Sequence, residues 1–263
     1  MTGVLAATGI RMSFGGLTAL KSGTIEVTAG TIIGLIGRNG SGKSTLFNCM
    51  TGYFRPKAGK ITLSGRDITG VQPHRIVEHG IVRTFQTPRL DFDANVHAAV
   101  LCGFYPARTS TFLGALAGLP GVRREERRLA EKADHIIERI GLGPQRDQPL
   151  GTLSMGQVRL VEVARCLAAD AKFVLLDEPA AGLTREEQLV LCGQIRELAK
   201  HGIGVLLVEH NFFLIHELCE RVTVLEEGAV IFVGTPGEVA RDPGVLRSYL
   251  GAAAEYAGGM VAE

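Results

Sequence analysis

One nine-residue stretch constrains this chain more than any other feature: GRNGSGKST at 37–45, which fits G-x-x-x-x-G-K-[ST] in full. TIIGLIG (31–37) leads into it as an unbroken apolar run that reads as a buried strand, and Ser44 to Thr51 reads as the helix that follows. A strand, a glycine-rich turn and a new helix make an anion cradle. Gly37, Gly40 and Gly42 permit backbone conformations in which several N–H groups converge on phosphate oxygens. The helix start adds its positive end beneath the same anion. Lys43 is placed to neutralise β- and γ-phosphates and the Ser44 hydroxyl to ligate Mg²⁺, with Arg38, Asn39, Ser41 and Thr45 completing the ATP-binding set.

FVLLDE (173–178) supplies the complement. An apolar strand delivers Asp177 at its C-terminal end, where α/β proteins place ligands. Asp177 is expected to hold Mg²⁺ and Glu178 to polarise an attacking water. GVLLVE (204–209) is a further strand too apolar to alternate, as suits a sheet covered on both faces. Between these strands REEQLVLCGQIRELAK (185–200) has Leu189, Cys192, Ile195 and Leu198 at helical spacing, and Thr184 with Glu187 forms a T-x-x-E capping box at its start. The alternation of strands and helices predicts an α/β fold.

The stretch from Asp91 to Ala169 differs. RREERRLAEKADHIIERIGL is a charged amphipathic helix with Leu129, Ala133, Ile136, Ile137 and Ile140 on one side and Gly141 as its stop. A second helix follows Ser154, so 91–169 reads as a helical subdomain inserted between strands. RVTVLEEGAVIFVG (221–234) reads as a hairpin turning at Glu227-Gly228. The apolar segment 97–121 is broken by Pro106, Arg108 and Thr109-Ser110-Thr111, short of the roughly 20 apolar residues a membrane span needs. The N-terminus lacks the basic start and long apolar run of a secretion signal. Five widely spaced cysteines without a CxxC pair are expected as buried free thiols in a reducing compartment. A net charge of +1 gives no electrostatic argument for nucleic acid.

LSMGQ (153–157), twenty residues before Asp177 and opening a helix, resembles the LSGGQ signature of ABC ATPases, with Met155 in place of the first glycine. Ser154 and Gln157 also form an S-x-x-Q capping box, and a capped start with a free Gly156 backbone is itself an anion site. Gln86 in RTFQTPRL resembles the family's Q-loop glutamine, which touches Mg²⁺. His210 resembles the switch histidine at the γ-phosphate, and Phe14 the aromatic that stacks on adenine. AAGLT (180–184) occupies the D-loop position without its commoner ending. SFGGLTAL, VRTFQ, DEPAAGL, VEHN and GTPGEVARDPGVLRSYLG narrow the resemblance to the larger ATP-binding subunit of branched-chain amino acid importers.

That resemblance implies a P-loop NTPase (RecA-like) core, 1–90 and 170–234, with an ABC-type β subdomain, an inserted helical subdomain at 91–169 and a C-terminal tail at 235–263. It further implies ATP and Mg²⁺ as cofactors, with Lys43, Glu178 and His210 catalytic. Ser154, Met155, Gly156 and Gln157 then serve the nucleotide of a paralogous ATP-binding subunit. The implied assembly has two transmembrane permease subunits and an external solute-binding protein, with this chain peripheral on the cytoplasmic face of the membrane. An exporter ATPase of the lipopolysaccharide-extracting type, a soluble ABC protein and a small-molecule kinase are the alternative readings. The kinase accounts for the phosphate loop but not for LSMGQ, Gln86 and His210 together.

Overall fold

The computed structural model of the chain describes residues 3–84, 90–107 and 120–249. Gln86 and most of the apolar segment after Ala107 lie outside the described residues. In chain order the strands are β1 (Val4–Phe14), β2 (Leu17–Thr28), β3 (Ile32–Ile36), β4 (Ala58–Leu63), β5 (Arg66–Asp67), β6 (Ile81–Arg83), β7 (Phe173–Asp177), β8 (Gly204–Val208), β9 (Arg221–Glu226) and β10 (Ala229–Gly234). The α-helices are α1 (Lys43–Met50), α2 (Pro73–Glu78), α3 (Val96–Leu101), α4 (Pro120–Arg139), α5 (Met155–Ala168), α6 (Arg185–Lys200), α7 (Phe212–Leu218), α8 (Pro236–Val239) and α9 (Pro243–Tyr249).

The three strands read from unbroken apolar runs are central and parallel: β3 pairs with β8, and β8 with β7. Their side chains divide between two apolar clusters. Ile32, Ile36, Val174, Leu176, Val205 and Leu207 face one, while Ile33, Leu35, Phe173, Leu175, Leu206 and Val208 face the other. Both faces are covered, which is why polar residues are missing from these strands. The antiparallel strands β1, β2, β4 and β5 continue the sheet, in the order β5-β4-β1-β2-β10-β9-β3-β8-β7-β6. The sheet curls round α1, whose Leu46, Phe47, Cys49 and Met50 share one cluster with Leu5, Ile10 and Leu20 of the antiparallel part and with Leu35 of β3.

On the opposite face α3, α4 and α5 pack together through Val96, Val100, Leu129, Ala133, Ile137, Val161 and Ala164. Of the expected stripe on α4, Leu129, Ala133, Ile137 and Ile140 are buried and Ile136 partly so. The stripe on α6 needs correction. Leu191, Cys192, Ile195 and Leu198 are buried, whereas Leu189 is 53% exposed. A strict three-residue repeat drifts backwards on a 3.6-residue helix, so over nine residues Leu189 turns about half a circle away from Leu198. Cys102 is likewise exposed, unlike the other four thiols. The segment after Gly234 forms α8 and α9, whose Val239 and Val245 enter the main cluster. Among the described residues no helix is long and apolar enough to cross a membrane.

Candidate active site

The phosphate loop is shaped by two close approaches. A Cβ at Gly37 would stand 2.2 Å from the Leu225 carbonyl oxygen of β9. Gly42 caps α1 with a left-handed φ of 104°, and a Cβ there would lie 2.6 Å from the Ala19 carbonyl oxygen of β2. Both approaches need glycine on steric grounds. They hold the loop against β9 on one side and the β1–β2 hairpin on the other. Lys43, only 6% exposed, folds back and donates to the carbonyl oxygens of Gly37 at 2.7 Å and Arg38 at 3.0 Å. Burial pushes its pKa down, while Glu178 and Asp177 act in the opposite sense. Ser44 is exposed and Thr45 half-buried beside it.

Asp177 ends β7 and Glu178 follows at a positive φ of 47°, a conformation that costs a non-glycine residue of order 1 kcal/mol or more. The Glu178 N–H donates to Val208 O at 2.9 Å, which binds the turn to the end of β8. His210, two residues beyond that end, places Nε2 2.8 Å from Glu178 Oε1. The two residues expected to act on water and γ-phosphate are thus direct partners. The Asp177 carboxyl is held above its ordinary range, first by burial and then by the Glu178 charge, against the attraction of Arg83 and Lys43. Arg83 donates to Asn48 Oδ1 at 2.7 Å and Thr51 Oγ1 at 3.1 Å and lies over the Phe47 ring at 4.5 Å. It ties the strand before Gln86 to the helix that carries Lys43.

The signature helix α5 begins with the expected box: Ser154 Oγ accepts from Gln157 N, and the Gln157 side chain accepts from Ser154 N. Glu187 of α6 lies against this helix start: the Ser154 hydroxyl donates to Glu187 Oε1 at 2.8 Å. A Cβ on Gly156 would stand 2.5 Å from Glu187 Cδ, so a side chain there would push the Glu187 carboxylate aside. Glu187 also completes the box at the start of α6 through Thr184 N at 3.0 Å. Met155 is exposed beside this contact. Phe14 is 42% exposed at the end of β1 and packs edge-on against Phe54 with ring centroids 5.1 Å apart.

Three residues not anticipated as functional emerge from this geometry: Arg83, Glu187 beyond its capping role, and Glu209, whose buried carboxylate accepts from the backbone on both sides of the Glu178–His210 pair. A glutamate beside His210 at the end of an apolar strand is the sequence signal for the last.

A phosphate loop, an acidic pair at the end of the next strand but one and a capped helix start make a nucleotide site of a defined kind. Residues 20–181 match the ABC transporter family. The chain belongs to that family. It is 37% identical over 251 residues to the high-affinity branched-chain amino acid transport ATP-binding protein BraF of Pseudomonas aeruginosa, covering 95% of this chain and 98% of that one. It is 35% identical, with the same coverage, to LivG of Escherichia coli, which carries the same description. The ADP conformation of MJ1267, an ATP-binding cassette of an ABC transporter, superposes with a TM-score of 0.83 at 33% identity, over 95% of this chain and 99% of that one. This ABC protein is an ATPase with the P-loop NTPase fold.

Proposed function

We propose that this ABC ATPase powers the import of branched-chain or other hydrophobic amino acids, as a peripheral subunit on the cytoplasmic face of the membrane. Its partners in this reading are a paralogous ATP-binding subunit, two permease subunits and an external binding protein. The observation that carries the ATPase half is the meeting of β3, β7 and β8 at one edge, with Lys43, Asp177 and the Glu178–His210 pair in electrostatic reach of one another. The similarity to BraF and LivG along nearly the whole chain supports the substrate class.

In this reading the 37–45 loop holds the β- and γ-phosphates, Lys43 exchanging its two carbonyl contacts for phosphate oxygens. Phe14 offers a face to the adenine. The exposed Ser44 hydroxyl and the Asp177 carboxylate, with Gln86, are hard oxygen donors suited to Mg²⁺, and a cation there would relieve the repulsion between Asp177 and Glu178. Ser44, Asp177 and Gln86 would hold such a cation, which would supply charge neutralisation at the phosphates. Glu178 takes the proton of the attacking water, and His210 holds that carboxylate in place. Ser154, Met155, Gly156 and Gln157 face the nucleotide of the partner subunit.

The test is ATP hydrolysis by the chain co-purified with its permeases in lipid, with and without the loaded binding protein. Stimulation by leucine, isoleucine or valine is expected, and stimulation by a non-amino-acid solute alone would exclude the substrate assignment. Glu178→Gln is expected to reduce hydrolysis by roughly 10²- to 10⁴-fold, the range for a general base, while ATP binding persists. Wild-type turnover by that variant would remove Glu178 from the chemistry.

A further inference from the structure

Glu209 is 4% exposed, and a carboxylate so buried is expensive unless its oxygens are paired. Among the described residues its hydrogen-bond partners are backbone N–H groups from two separate segments. Oε1 accepts from Ala180 N at 3.0 Å, two residues after Glu178. Oε2 accepts from His210 N at 3.2 Å and, more weakly, from Asn211 N at 3.4 Å. Asn211 continues the chain of contacts: its Oδ1 caps α7 through Phe213 N at 3.0 Å, and its Nδ2 donates to Gln188 Oε1 of α6 at 3.2 Å. One side chain therefore bridges the turn that carries Glu178 and the turn that carries His210. The side chains of those two turns meet at 2.8 Å.

The Glu178 turn is a place where such a brace is needed. Its positive φ persists only if the surroundings over-determine it. The Val208 carbonyl holds the turn from the strand side, and Glu209 holds it from the far side at Ala180. We propose that Glu209 is a positioning residue for hydrolysis. It fixes the Glu178 and His210 turns relative to each other, and it links them to the D-loop stretch that leads into α6. Its carboxylate oxygens are taken up by backbone N–H groups, so it acts through the two residues it braces. The inference rests on the reading of Glu178 and His210 as the groups that act at the γ-phosphate.

Glu209→Gln tests it. An amide has one acceptor oxygen and must turn its NH₂ towards one set of N–H donors, so one half of the bridge opens. The kcat for ATP is expected to fall by roughly 10- to 100-fold, as for a displacement of about 1 Å at reacting groups, with ATP affinity within about twofold of wild type. The decisive readout is the combination with Glu178→Gln. If Glu209 acts through Glu178, adding Glu209→Gln to that variant lowers its residual rate by much less than it lowers the wild-type rate. Equal factors in both backgrounds overturn the proposal, as does wild-type kcat in Glu209→Gln. Should Glu209→Gln not fold, Glu209→Asp keeps the charge but not the span. Reduced kcat at unchanged ATP affinity is then expected, and wild-type kcat overturns the proposal. Full activity in Glu178→Gln alone would instead refute the reading of the site on which the inference rests.

Discussion

The phosphate loop and the start of the signature helix both present backbone N–H groups at the head of a helix, yet they are furnished in opposite ways. At the loop the charged group is a cation, Lys43, and its partners are two neutral carbonyl oxygens of the loop itself. At the signature the charged group is an anion, Glu187, and its partners are the Ser154 hydroxyl and the Thr184 N–H. An incoming phosphate finds a cation to gain at the first site and a carboxylate to displace at the second. The hydrogen bonds at both sites are charge-assisted, but an anionic phosphate is attracted by Lys43 and repelled by Glu187, so the second exchange is the harder. In the proposed reading the loop binds nucleotide by itself, while a phosphate reaches the start of α5 only when Glu187 of α6 moves away from Ser154.

The largest effects separate the two sites. Lys43→Ala removes the buried cation and is expected to weaken ATP binding by roughly 10- to 100-fold, the worth of a charge-assisted contact, and to abolish measurable turnover. Gly156→Asp adds a second carboxylate where a Cβ already meets Glu187, and should leave ATP binding to the monomeric chain unchanged. Its hydrolysis should nevertheless fall by about 10²-fold, as for the loss of one preorganised donor to a transferring group. Isothermal titration with ATP alongside a phosphate-release assay distinguishes them. Equal loss of ATP binding in both variants would erase the distinction between the two sites.

The site's two carboxylate contexts also mark what the sequence could convey. GRNGSGKST with its flanking strand, the Asp177 strand end and the capping boxes at Ser154 and Thr184 are local patterns, legible because a few neighbouring residues determine them. The antiparallel strands are poorly legible. The register of β1 against β2 slips between Ala7 and Ile10, again before Met12 and again at Ser13, so the alternation begun by Leu5 and Ala7 is not kept. The long-range partners of Glu187 and Glu209 are illegible for a different reason. Ser154 and Glu187 are 33 positions apart, and Ala180 and Glu209 are 29 apart, so their roles arise only when distant turns are folded together. Leu189 shows how a correct helix can carry a wrong face when the stripe is read with a fixed three-residue step.

Glu187→Gln probes the harder exchange directly. The amide keeps the size of the side chain and removes the charge that opposes an arriving phosphate. The ATP concentration needed for half-maximal dimer closure, measured by chromatography in a Glu178→Gln background to prevent turnover, is expected to fall by about two- to fivefold, a change of roughly 1 kcal/mol or less. An increase would mean that Glu187 helps to shape the signature for phosphate and does not compete with it. The same variant weakens the cap of α6, so its isolated chain should unfold slightly earlier.

The smallest effect is one of sign, and it sets Glu187 against Asp177. Hydrogen bonds from Thr184 and Ser154 hold the Glu187 pKa below its ordinary value. The stability it lends is therefore complete above the unfolded carboxyl pKa of about 4.3 and is lost as pH falls through the lower folded value. Asp177 runs the other way. Burial, aided by Glu178, holds its pKa above the ordinary value, so its contribution is complete below about pH 3.9 and is lost as pH rises through the folded value. At neutral pH the ionised Asp177 strains the fold that a bound cation would relieve. Asp177→Asn should therefore raise the nucleotide-free melting temperature at pH 7 by a few degrees, where about 2–4 °C corresponds to 1 kcal/mol in a domain of this size, and the gain should shrink as pH falls towards 4. Glu187→Gln should lower it at pH 7, with the deficit likewise shrinking in acid. Melting curves of both variants across that pH range check the pair, and a destabilised Asp177→Asn at neutral pH would mean that Asp177 is held by attraction to Arg83 and Lys43 and not strained by burial.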